Sequence, residues 1–200
     1  MAAPSPAGWA RRRRSCSVRP MPVYVSLLRA VNLAGRSTVR MAALADLYRT
    51  EGFEDVTTVL QSGNVIFSSK ARSAPRIAAR LEAALAREFG LRTTVILRTA
   101  AEIADVIARN PFAGRDDVNP SRLLVLFLAG EPTASAEGDL AERYKGPEEI
   151  VISGRECYIH YIDGIGRSKL TAALLDRTLG AAGTARNWNT LQRIAKVLAR

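Results

Sequence analysis

Histidine is nearly absent from this chain: His160 is the single one in 200 residues. Cysteine is almost as scarce, and Cys16 and Cys157 lie far apart, with neither in a C-x-x-C pair. These absences leave no His/Cys constellation for zinc, so no metal site is expected. They also make a reduced, cytoplasmic setting the expectation. A magnesium ion carried in by a phosphorylated ligand stays open, because its ligands would be oxygens. Long apolar runs are missing too. The longest, Leu123 to Ala129, falls far short of the ~20 residues that span a bilayer, so no membrane partner is expected.

Acids are in the minority, at 19 against 29 lysines and arginines, for a formal net charge of +10. Such an excess invites a nucleic-acid reading. Half of it sits on residues 1–20, which hold five arginines, no acid and Trp9 as the one large apolar residue. That segment buries too little to offset its ordering entropy and is expected to be a disordered basic extension. It lacks the apolar stretch of a signal peptide. Met21 is the alternative natural start.

What is present is a core. Hydrophobic residues make up 48% of the chain, enough for one large domain or two small ones. Val56 to Ser69, VTTVLQSGNVIFSS, reads as two β-runs meeting at Ser62-Gly63-Asn64, a hairpin. Around it, alternation predicts strands over 22–28 and 93–98, and 3.6-residue periodicity predicts helices over 38–51 and from Ser73 to Gly90. A helix over 99–109 leads to Asn110-Pro111. The same order then returns: a strand over 122–128, a helix over 138–144, a hairpin about Gly154-Arg155, a helix over 168–179, a short strand over 184–186 and a helix over 189–200. The fold class expected is α+β: two ferredoxin-like units in tandem, antiparallel sheets with helices packed on one face. The boundaries expected are 21–99 and 100–200. No residue-level repeat links the halves.

Three stretches carry polar groups suited to a site. In the loop from Arg29 to Ser37, Arg29 and Arg36 supply charge for a phosphate or carboxylate, and Gly35 permits close backbone approach. The alternative there is a plain helix cap at Ser37 or Thr38. Gly164 to Lys169 sits between a strand and a helix like a phosphate loop. It has neither the G-x-x-x-x-G-K-[ST] spacing nor a third glycine, so Ser168 as a helix cap competes. In Thr184 to Thr190, Trp188 between two asparagines is suited to stacking a ring whose edge the amides read. The competing role is a core tryptophan with Asn189 as cap. His160 has no assignable acid partner, and Cys157 points to the opposite face of its strand, so no nucleophilic dyad arises.

The segments LLRAVNLAG (27–35), LQSGNVIF (60–67), NPF (110–112), SKL (168–170) and TARNWNT (184–190) together resemble the bacterial DUF1697 family, a domain of unknown function. The resemblance runs from Met21 to Arg200. It implies two α/β-plait domains and a start at Met21, and it implies no assigned activity. By motif it singles out Arg29, Asn32, Gln61 to Asn64, Ser168, Lys169 and Arg186 to Trp188. Ala30 and Ala34 stand where the family usually has glycine, and Thr38 stands where it has lysine.

The leading expectation is a protein that binds a small anionic or nucleotide-like ligand where its polar loops converge. The expected contacts are Arg29, Asn32, Arg36, Gln61, Ser62, Asn64, Ser168, Lys169, Arg186, Asn187 and Trp188. Three alternatives stand beside it: nucleic-acid binding through the basic tail and surface, an enzyme acting on a phosphorylated metabolite, and a protein-interaction or assembly module. An enzyme would need Asp163, Glu156 or His160 near the loops. Cofactor, reaction and oligomeric state are not legible.

Overall fold

Residues 21–30 and 39–200 are described by the structure, a computed structural model. The basic extension over 1–20 and the loop candidates Asn32, Gly35, Arg36, Ser37 and Thr38 lie outside the described residues. The first half contains β1 (Val23–Leu28), α1 (Met41–Thr50), β2 (Glu54–Val59), β3 (Asn64–Ser68), α2 (Ala74–Phe89) and β4 (Val95–Thr99), followed by α3 (Ala100–Ala108). The second repeats this order: β5 (Leu123–Leu128), α4 (Ala136–Arg143), β6 (Glu149–Ser153), β7 (Glu156–His160), α5 (Ala172–Leu179), β8 (Gly183–Asn187) and α6 (Trp188–Leu198). Each half forms a four-stranded antiparallel sheet, in the orders β2-β3-β1-β4 and β6-β7-β5-β8. The fold is two ferredoxin-like units in tandem.

Both sheets are buried on two faces, and strand alternation sorts their side chains. In the first, Tyr24, Leu28, Phe67 and Leu97 face α1 and α2. Val25, Leu27, Ile66 and Ile96 face the other way, into a cluster with Val125, Phe127 and Tyr158 of the second sheet. Helices α3 and α6 join this shared layer through Ile103, Val106, Leu191 and Ile194. The second sheet turns Leu126, Leu128, Cys157 and Ile159 to α4 and α5. Burying a Val, Leu or Ile side chain is worth about 1.5–3 kcal/mol, so exposing this shared layer would consume most of a domain's stability. The two units are therefore built to fold against each other.

Several element ends differ from the sequence reading. Helix α5 begins at Ala172, with Thr171 as its cap, rather than at Ser168. The intervening chain makes a short 3-10 turn over Ile165–Arg167. Ser168 instead accepts from the Leu170 N–H at 3.0 Å, and this local bond competes with helix continuation. Helix α6 is capped by Asn187, not Asn189: Asn187 Oδ1 accepts from the Thr190 N–H at 2.9 Å. Helix α1 starts at Met41 behind Arg40, which makes no side-chain cap bond.

Candidate functional site

The two halves interlock through a pair of arginines in matching places. Arg98 in β4 and Arg186 in β8 each precede a capping residue, Thr99 and Asn187, and a helix. Each reaches across to the other sheet. Arg98 Nη2 donates to Leu128 O at 2.9 Å and Arg155 O at 3.1 Å, and its Nε donates to Glu156 Oε1 at 2.7 Å. Arg186 Nη2 donates to Leu28 O at 2.8 Å and Ser62 O at 3.1 Å, and its Nε donates to Asn64 Oδ1. Matching backbone bonds frame both: Leu28 N to Gly63 O and Leu128 N to Arg155 O, each at 2.9 Å.

The chemistry at the two ends differs in one respect. Arg98 meets a carboxylate; Arg186 meets an amide. Arg186 Nη1 completes its set on Thr184 Oγ1 at 2.8 Å and Ala185 O at 2.9 Å, so every acceptor around it is neutral. Only 7% of Arg186 is exposed, and burial pulls its pKa down to about 10 with no acid opposing the shift. Burial also lowers Arg98, but Glu156 pushes back. Arg186 is thus a buried cation held by dipoles alone.

A cavity of about 430 Å³ opens beside it, bordered by Arg29, Ala30, Ser62, Thr184, Asn187 and Thr190. The β2–β3 hairpin presents Ser62 through a strained bend, in which Leu60 has φ 60° and Gly63 φ 69°. A leucine in that region costs on the order of 1–3 kcal/mol. Asn64 holds the bend from within, donating Nδ2 to Val59 O and to Ser62 Oγ, each at 2.9 Å. Arg29 pairs with Asp176 of α5, and the two side chains remain 30% and 27% exposed. Asp176 also accepts from the Gly183 N–H at 3.1 Å. Ala30 takes φ 53°, a conformation better suited to glycine.

Of the sequence candidates, Arg29, Ser62, Arg186 and Asn187 border this cavity, with Asn64 directly behind it. Gln61 is exposed on the same hairpin. Trp188 is buried in the layer between the sheets. Asn32 and Arg36 lie outside the described residues. Ser168 and Lys169 border a different cavity, of about 690 Å³, together with Asp163. Glu156 is committed to Arg98, and His160 Nδ1 lies 2.9 Å from Glu149 Oε2, so neither reaches the Arg186 cavity. Asp176 and the Arg98–Glu156 pair escaped sequence reading. The one signal for the arginines was a shared pattern, Arg before a capping Thr or Asn at the end of a strand that leads into a helix. Among the described residues no group of three His, Cys, Asp or Glu is arranged to hold a metal. Nor is any helix there long and apolar enough to cross a membrane.

The model of the family described as "Protein of unknown function (DUF1697)" matches residues 21–158. The chain belongs to the DUF1697 family. Among solved structures, this DUF1697 chain is similar to the conserved bacterial protein SP0830 from Streptococcus pneumoniae, with TM-score 0.70 and 20% identity over 89% of this chain and 99% of that one. That likeness concerns the fold. No curated protein matches.

Proposed function

We propose that the cavity beside Arg186 binds a small anion, such as a phosphorylated metabolite or nucleotide. The observation that carries this reading is the buried Arg186 guanidinium, which among the described residues has no carboxylate partner where its counterpart Arg98 has one. A buried charge is costly without a counter-charge; because the Arg186 donors are spent on protein acceptors, an anion in the adjoining cavity would offset that charge through space and take its hydrogen bonds from the groups around it. Arg29 adds a second cation that an anionic ligand can draw from Asp176. Ser62, Thr184, Asn187 and Thr190 offer hydroxyl and amide groups for orientation. The volume suits a metabolite-sized ligand. Glu156, His160 and Asp163 lie elsewhere, which favours binding over acid–base turnover.

Titration calorimetry and thermal unfolding with AMP, ribose 5-phosphate and inorganic phosphate test this. A ligand at about 100 times its Kd adds about 2.7 kcal/mol of stability. Arg29→Gln is expected to weaken binding about tenfold, while Arg186→Lys keeps the charge and retains part of it. No binding by any of the three, or equal binding in the wild type and in Arg29→Gln, would overturn the reading.

A further inference from the structure

Among the described residues strand β6 is an edge strand, paired with β7 alone, so one side of its backbone has no ladder partner there. A groove of about 410 Å³ runs between it and α4. Glu137, Leu140, Ala141 and Tyr144 border it at helical spacing, and so do the three consecutive residues Ile150, Val151 and Ile152. Side chains of consecutive strand residues alternate across a sheet, so a groove touching all three follows the edge of the strand rather than one face. Val151 is 38% exposed there.

The groove is polar at its ends, with opposite signs. Glu137 stands at the start of α4. At the other end the groove shares Tyr144, Gly146 and Glu148 with the 690 Å³ cavity, where Arg143, Lys145, Arg167 and Lys169 gather from two separate segments. Among the described residues none of these four cations is paired with a carboxylate, and Lys145 donates only to Ala141 O. Two carboxylates border the same cavity, Glu148, which accepts from the Tyr144 hydroxyl, and Asp163, so this end keeps an excess of positive charge, four cations against two acids. Strand β6 begins at Glu149, beside this cationic end. A strand added antiparallel to β6 would therefore run its C-terminal end into the four cations.

We infer that β6 and α4 form a docking groove for an extended peptide with an acidic C-terminus. Main-chain hydrogen bonds to the β6 edge would hold it, Leu140, Ile150 and Ile152 would take alternate apolar side chains, and the cations would take the terminal carboxylate and its acidic neighbours. This site is separate from the Arg186 cavity and does not depend on it.

The test is fluorescence anisotropy of the full chain with a labelled peptide of alternating valine and threonine ending in two aspartates. Binding is expected that weakens about tenfold or more with a C-terminal amide, with terminal lysines, or in Lys145→Glu/Lys169→Glu. Val151→Asp, an exposed position, should weaken it similarly without lowering the melting temperature. Phosphate binding at the Arg186 cavity should survive the double charge reversal. Absence of binding, or binding indifferent to both the peptide terminus and the double variant, would overturn the inference. So would a preference for oligonucleotides that the Val151→Asp change leaves untouched, which would mark the cations as a nucleic-acid surface.

Discussion

Arg98 donates to Glu156 at 2.7 Å with both side chains almost fully enclosed, 1% and 6% exposed. This is the ion pair that joins the first sheet to the hairpin of the second. Removing Arg98 leaves Glu156 with only the longer contact to Arg109, at 3.6 Å. Arg98→Met is expected to cost about 3–5 kcal/mol in urea unfolding, because that longer contact compensates the buried carboxylate poorly. The double variant Arg98→Met/Glu156→Leu is expected to cost less than Arg98→Met alone, giving a clear coupling energy. Additive costs would contradict the pairing.

Leu60 takes φ 60° and is 38% exposed, so it strains the backbone without filling the core. Leu60→Gly is expected to stabilise the chain by about 0.5–1 kcal/mol, less the entropy of the added glycine in the unfolded state. The urea midpoint should rise with an unchanged slope. A fall would show that the side chain packs where the geometry leaves it open.

Glu51 receives Arg80 and Arg87 at 2.7 and 2.8 Å. The Arg80 and then the Arg87 hydrogen bonds hold its carboxyl below the ordinary 4.5. A lowered carboxyl pKa means the folded state binds that proton less readily than the unfolded chain. Its stabilisation is therefore present above the ordinary value and is lost as pH falls through the folded one. Glu51→Gln should melt roughly a few degrees lower than wild type at pH 7, and the two curves should converge towards pH 3. Because the arginines are exposed, salt should shrink the difference.

Cys157 is sealed between its sheet and the outer helices, and burial pushes its thiol up to about 12. The thiolate is the reactive form, so Cys157 should resist an aromatic disulfide reagent in the native protein. In a Cys16→Ser background, labelling should wait for unfolding and give one thiol per chain in denaturant. Fast native labelling would show that this layer opens readily.

Much of the architecture was legible because local rules acted alone. The apolar run Leu123 to Leu128, the Ser62-Gly63-Asn64 bend and Gly90 after α2 each announced its element, and the repeated element order announced the tandem plait. Helix starts were less legible where polar side chains competed. Ser168 bonds Leu170 and holds the chain out of the helix, so α5 waits for Thr171, and Asn187 caps α6 two residues before Asn189.

The candidate site divided along the same line. The sequence by itself marked which polar residues lie at turns and strand ends, Arg29, Ser62, Asn64, Ser168, Lys169, Arg186 and Asn187 among them. Only the tertiary structure decided that Lys169 faces a different cavity from Arg186, that Arg29 shares its charge with Asp176, and that Arg186 spends its donors on neutral acceptors. Periodicity reports the face on which a side chain emerges, since that is set by the neighbouring residues of one element. The partner it meets comes from another element more than a hundred residues away, brought there by the apolar layer that both sheets bury.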